Sequence, residues 1–272
     1  MEKYEELKQA VERMEIVDAH AHDIFLDSTL PFHQWLTGTK GVALSHASLS
    51  LPLKRSLRDI AELYGSESSL HGIEEYRRCS GLQSIGSKCF RAARISAMLI
   101  DEEIGFDQKH DSEWHRSFTP VVGRILTIEC LAEKILNEEM RNGSMWTLDS
   151  FDKIFMGKLK SVANGIDAEE GLIEVLSAGK PVRITNKSLV DYIFAVLEDK
   201  KFVKCHFVLL HASYPFSNEA LYLASNHPQV YLDFGLAVSK LNVCGITSSV
   251  KELLKLAPIK KVMFSSDGYC NS

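Results

Sequence analysis

Two histidines two residues apart, His20 and His22, close the short run Glu15-Ile16-Val17-Asp18-Ala19-His20-Ala21-His22. Other apolar runs also end in residues able to hold a metal ion or move a proton. Asp101 follows Ile95–Ile100, His211 ends His206–His211, Asp233 sits in Val230–Gly235, and Asp267 ends Lys261–Asp267. Imidazoles and carboxylates are the usual ligands of zinc and similar divalent ions. Residues two apart on a strand point to the same side, so His20 and His22 share one face. A lone His-x-His pair is weak evidence, since chance supplies about 0.4 per chain of this composition. The order carries more weight: a pair on the first strand, a histidine on a later one and an aspartate on the last. Carboxyl ends of strands meet on one face of a (β/α)₈ barrel, where active sites sit.

The elements that must position these residues alternate. Strands are expected at about 15–20, 95–101, 120–128, 206–211, 229–234 and 261–266, with helices between them, for example Asn218–Ser225 and Ser249–Leu256. Such alternation implies parallel βαβ units and an α/β, TIM-barrel-like fold. Residues 130–200 offer no convincing strand. Glu169–Leu176 and Ser188–Leu197 read as helices, and only Val182–Thr185 is available as a short extended run. The barrel is therefore expected to be incomplete, with about six of eight strands. Residues 23–94 are too long for an ordinary strand-to-helix connection. Their helical periodicity predicts a cap inserted over the carboxyl ends of the strands, within a single domain spanning 1–272.

Composition narrows the function classes. The chain is 45% hydrophobic and 25% charged, with a formal net charge of -5. That is ordinary globular composition, and it lacks the basic surface of a nucleic-acid-binding protein. No run of 18 apolar residues suggests a membrane span, and Met1–Met14 lacks the apolar core of a signal peptide. Six scattered cysteines without a C-x-x-C pair read as reduced thiols and point to a cytoplasmic protein.

Asp18-Ala19-His20-Ala21-His22 resembles the first-strand motif of the amidohydrolase superfamily. Leu209–Phe216, Tyr231–Gly235 and Phe264–Gly268 resemble more closely the amidohydrolase portion of plant nodulin/glutamine synthetase-like proteins; Ala43–Ser48 and Asp111–Phe118 fit the same group. The resemblance implies a divalent metal, with zinc the expected ion, held by His20, His22, His211 and Asp267. It implies that Asp267 and His211 are catalytic, and that His46, His115 and Arg124 bind a substrate carboxylate. The implied partner is a small-molecule amide. Oligomeric state is left open, a homo-oligomer being compatible.

The departures from that family are expected to matter. It has two further strands in the middle of the barrel, the second ending in another histidine ligand, and neither is found here. Loss of a ligand predicts weak metal retention and little hydrolysis. Two readings therefore stand: a metal-dependent hydrolase of an amide or other C–N bond, or a non-catalytic truncated paralogue or splice product serving in binding or assembly.

Overall fold

A computed structural model of the chain describes residues 4–23, 32–37, 41–101, 112–142, 147–164, 173–176, 197–198, 200–203, 205–213, 217–235 and 241–268. Its strands are β1 (Ile16–His22), β2 (Ile95–Asp101), β3 (Val121–Thr127), β4 (Ile173–Leu176), β5 (His206–Leu209), β6 (Val230–Asp233) and β7 (Val262–Met263). All neighbouring pairs are parallel, and the sheet runs β1 to β7 in chain order.

The ladder then returns to its start. Ala19 N donates to Phe264 O at 3.1 Å, Asp267 N to His20 O at 3.0 Å and His22 N to Gly268 O at 3.1 Å. The segment after β7 thus lies alongside β1, and Ala21 bridges Gly268 in parallel. Seven strands are described, one more than the sequence predicts and one fewer than a (β/α)₈ barrel has.

The added strand is β4, and it corrects the expected helix over Glu169–Leu176. Ile173–Leu176 pairs with β3 on one side and β5 on the other. A four-residue run has no periodicity that separates a strand from a helical turn. Both neighbouring strands supply its hydrogen bonds, so the ladder decides. Val182–Thr185 and most of Ser188–Leu197 lie outside the described residues.

Alternation along the strands separates two environments. Ile125, Val208 and Leu210 are buried, with the partly buried Leu99, Tyr231 and Met263 packed against them, in a cluster fed by β2, β3 and β5–β7. These residues fill the space the strands enclose. The opposite faces meet helices. Met98, Ile100 and Ala21 pack with Phe90 of the helix Leu82–Ala93, and Phe207, Leu209, Val230 and Leu232 pack with Ile135, Leu159, Leu221 and Leu253. Among the described residues, no helix is long and apolar enough to cross a membrane, and Cys79, Cys89, Cys205 and Cys244 are free thiols.

Before β1 lies α1 (Glu5–Arg13), and the described residues between β1 and β2 form α2 (Phe32–Thr37), α3 (Leu44–Ala47), α4 (Leu51–Tyr64), α5 (Leu70–Ser80) and α6 (Leu82–Ala93), with a 3₁₀ turn at Gly41–Ala43 between α2 and α3. Ser50 and Ser69 cap α4 and α5 by accepting bonds from Leu53 N and Gly72 N. Phe32, Ala61, Tyr64, Ile73 and Ile85 form a small core of their own. That core rests on α6, which also packs against the outer face of β1 and β2 through Phe90. The last helix of the insertion is therefore the crossover helix of the first βαβ unit.

A buried lysine closes the amino-terminal side of β6 and β7. Lys261 donates through Nζ to the carbonyls of His227 (3.1 Å), Pro228 and Val230 (2.9 Å), and lies 4.5 Å from the centre of the Tyr231 ring. Burial, with nearby Lys260, holds its pKa below the usual lysine value. Lys261→Met keeps the stem but strands three carbonyls. It is expected to lower stability by about 2–3 kcal/mol, read as a lower denaturant midpoint at unchanged m-value. An unchanged midpoint would show that water reaches these carbonyls in the folded state.

Candidate metal centre

β1 supplies the first two side chains. Asp18, His20 and His22 alternate with Ala19 and Ala21, and all five are buried. Since Ala21 packs toward the helices, the even-numbered residues face the enclosed side. Register places Asp101, the last residue of β2, opposite His22. β6 ends in the fully buried Asp233, and His211 and Asp267 follow β5 and β7.

Those last two residues sit on unusual backbone. His211 has φ 57° and Asp267 φ 50°, in the left-handed region. Such conformations cost on the order of 1–3 kcal/mol each and persist where surrounding contacts impose them. The contacts at Asp267 are evident. Ser266 N donates to Asp18 Oδ1 at 2.9 Å, Asp267 N to the carbonyl of His20, and Gly268 N to Ser266 Oγ at 2.9 Å. Asp18 also accepts from His20 N at 3.3 Å. Burial pushes the Asp18 carboxyl above the usual range, opposed by the hydrogen bonds from Ser266. This carboxylate welds β1 to the turn that aims Asp267.

The side chains converge. His22 Nε2 lies 3.2 Å and His211 Nε2 3.3 Å from the same oxygen of Asp267, Oδ1. His20 stacks on His211 with ring centres 5.6 Å apart and lies 4.9 Å from the ring of His22. His20 Nε2 is 3.5 Å from Asp101 Oδ2, and its Nδ1 is 3.8 Å from Asp233 Oδ2. Ligand atoms of His20, His22 and Asp101, and again of His20, His211 and Asp267, lie within 4.8 Å of one another.

The donor set fits a divalent ion on two counts. Tetrahedral ligands at about 2.0–2.1 Å from one zinc ion are about 3.4 Å apart, and the separations of 3.2, 3.3 and 3.5 Å match that edge. Both ring nitrogens of His20, which is 1% exposed, lack a hydrogen bond of good geometry although carboxylates stand beside them. Buried polar atoms rarely go unsatisfied without a functional reason.

Electrostatics follow from the packing. Burial opposes a charge on His20, but Asp101 and Asp233 outweigh it and carry its pKa up to about 10. Burial also opposes ionisation of Asp267, yet the bonds from His211 and His22 hold it below the usual carboxylate range. In the metal-free protein the His20 charge therefore stabilises the fold fully below about pH 6.5, and this stabilisation is lost as pH rises through about 10. The Asp267 contribution is present above its ordinary value and lost as pH falls toward its depressed one. A metal ion requires neutral imidazole. Zinc binding is thus expected to release a proton, its apparent affinity rising up to about tenfold per unit between pH 6.5 and 8. Calorimetry in buffers of different ionisation enthalpy measures this; binding without proton release would show that His20 is already neutral in the metal-free protein.

The three residues expected to bind a substrate carboxylate lie on other elements. His46 is exposed, on the short α3. His115, in the helix Ser112–Arg116, is fully buried, with Nε2 3.0 Å from Asp23 Oδ1. Arg124 alternates with the enclosed Ile125 and shares the parity of Val122, which packs toward the helices. Sequence reasoning also passed over Asp18 and Ser265 and left Asp101 and Asp233 outside the ligand set. Asp18 could have been found, since it has the same parity as His20 and His22.

No family model matches the chain. It is 24% identical to Protein fluG of Emericella nidulans in an alignment that takes in 97% of this chain. The chain spans 40% of that protein's length. The alignment extends over 354 residues, more than the 272 of this chain, so the relative has internal residues with no counterpart here. Among solved structures, the chain is similar to a "putative metal-dependent hydrolase" from Lactobacillus casei ATCC 334, with a TM-score of 0.69 and 20% identity over 97% of this chain and 85% of that one. The parallel α/β architecture that gathers the histidines and aspartates is thus one it shares with a protein described as a metal-dependent hydrolase.

Proposed function

We propose that the chain is a metal-dependent hydrolase of the amidohydrolase type, acting on an amide or other C–N bond of a small molecule. The observation that supports it best is the convergence of His20, His22, His211 and Asp267 at the carboxyl ends of β1, β5 and β7, with both nitrogens of His20 lacking a hydrogen bond. These four residues would hold the ion, zinc in this proposal. A bound divalent ion would polarise a water and bring its pKa toward neutrality.

The chain's own groups do the rest. Asp267, kept ionised by the bonds from His22 and His211, takes a proton at a carboxylate oxygen and returns it to the leaving amine nitrogen. As an alternative to ligating the ion, His211 would orient the scissile carbonyl. Ile125, Val208 and Leu210 exclude water from the enclosed side below, which strengthens every charge interaction above them. Kinship to the amidohydrolase portion of nodulin/glutamine synthetase-like proteins belongs to the same proposal, as does a cytoplasmic location, supported by the free thiols.

One observation favours a second reading, in which the fold is retained for binding without turnover: the relative's additional internal residues, absent here. Elemental analysis of protein purified without added metal, followed by hydrolysis assays on γ-glutamyl and other small amides, tests both. About one equivalent of metal with turnover supports the hydrolase. Bound metal without turnover on any amide supports the second reading, and a site that takes up no divalent ion overturns the first.

A further inference from the structure

The proposed ligand set lacks the histidine that the amidohydrolase resemblance would put on a strand in the middle of the barrel. A different residue stands beside the orphaned imidazole. Asp101 ends β2 and is paired in register with His22, and its Oδ2 is 3.5 Å from His20 Nε2. That separation suits two donors on one ion bound at about 2.0–2.2 Å from each and exceeds the usual N–H···O hydrogen bond of about 2.9 Å. His20, His22 and Asp101 are all buried. Two imidazoles and a carboxylate gathered in one buried place form a donor set whose charge suits a divalent cation.

The other side of His20 is built differently. Asp233 Oδ1 already accepts from Gly235 N at 2.5 Å and from Ser265 Oγ at 2.8 Å. Its free oxygen, Oδ2, faces His20 Nδ1 at 3.8 Å. A carboxylate fixed in this way and turned to the second ring nitrogen orients a metal-bound histidine and holds its tautomer. One imidazole nitrogen carries one lone pair. His20 therefore binds a single ion through Nε2, on the side of Asp101, and donates Nδ1–H to Asp233.

We infer that Asp101 is a metal ligand in this chain, taking the place of the absent histidine, and that Asp233 is the positioning residue of His20. The inference rests on the metal-centre reading above. The test uses the full chain, stripped of metal and reloaded with cobalt(II), a spectroscopic probe, and with zinc(II) for affinity. In Asp101→Cys a ligating thiolate replaces the carboxylate, and the cobalt form is expected to show the near-ultraviolet charge-transfer band of a cobalt–sulfur bond. Asp101→Asn is expected to bind zinc at least tenfold more weakly and to change the cobalt d–d spectrum. Asp233→Asn is expected to weaken zinc binding by about 10–100-fold while leaving the shape of the cobalt spectrum unchanged. Thermal unfolding of each metal-free variant checks the fold, and Asp101→Cys reports coordination even if Asp101→Asn is poorly folded. A wild type that binds cobalt while Asp101→Cys shows no charge-transfer band and Asp101→Asn binds as well as wild type would overturn the inference alone. A wild type that binds neither ion overturns the metal-centre reading and this inference with it.

Discussion

Asp267→Asn is expected to reduce amide hydrolysis by about 10²–10⁴-fold, the largest loss foreseen for any single substitution. Asparagine matches aspartate in size and tolerates the left-handed backbone at this position. The turn held by Asp18 and Ser266 should therefore survive, and circular dichroism and thermal unfolding should show a folded protein. The carboxylate is what disappears. His22 and His211 now share one anionic oxygen, and a neutral amide is a weaker acceptor and no general base. Zinc affinity should fall as well, because an anionic ligand is replaced by a neutral one. Part of that fall is offset, since Asp267 is one of the charges that raise the His20 pKa, and removing it leaves the proton a weaker competitor. Turnover and zinc affinity measured together separate these effects. Turnover within a few-fold of wild type at saturating metal would exclude Asp267 from the chemistry.

Gly235→Ala is expected to be the most damaging substitution for folding, at about 3 kcal/mol or more. The reason is close approach. A Cβ at Gly235 would sit 2.1 Å from Ser265 Oγ and 3.0 Å from the Ser265 carbonyl oxygen. Ser265 is fully buried and its hydroxyl donates to Asp233, so it cannot swing away without breaking that bond. Gly235 N donates to the same aspartate oxygen. The clash therefore loosens Asp233, and zinc affinity should fall together with stability. Adding Ser265→Ala to Gly235→Ala removes the shorter contact and should recover part of the lost stability, a non-additive pair. The backbone contact keeps the recovery incomplete. A denaturant midpoint for Gly235→Ala equal to that of wild type would show that β6 and β7 have room to part.

The fate of β4 shows where local reading fails. Ile173-Glu174-Val175-Leu176 is too short to show a period, and the acidic residues before it suit a helix start. Its strand character comes from neighbours distant in the chain, β3 and β5, which both offer it backbone partners. The other six runs were legible because each is an apolar run of strand length, five of them with a polar end, a pattern that needs no tertiary partner to be seen. The expectation of weak metal retention rested on missing strands and a missing ligand. β4 and the return of the ladder to β1 each remove part of that ground.

Residue types and spacing by themselves determined that His20 and His22 would face one way, that His211 and Asp267 would follow strands, and that those strands would be parallel. Period-2 alternation and βα order are local properties, written in neighbouring residues. Which carboxylate stands beside which imidazole was decided only by the tertiary structure. Register sets Asp101 against His22. Asp18, by binding Ser266 N, sets the turn that brings Asp267 to His22 and His211. The same packing pairs His115 with Asp23. Such pairings join residues separated by up to 248 positions. Their geometry depends on how strands stack sideways, and no window along the chain carries that information.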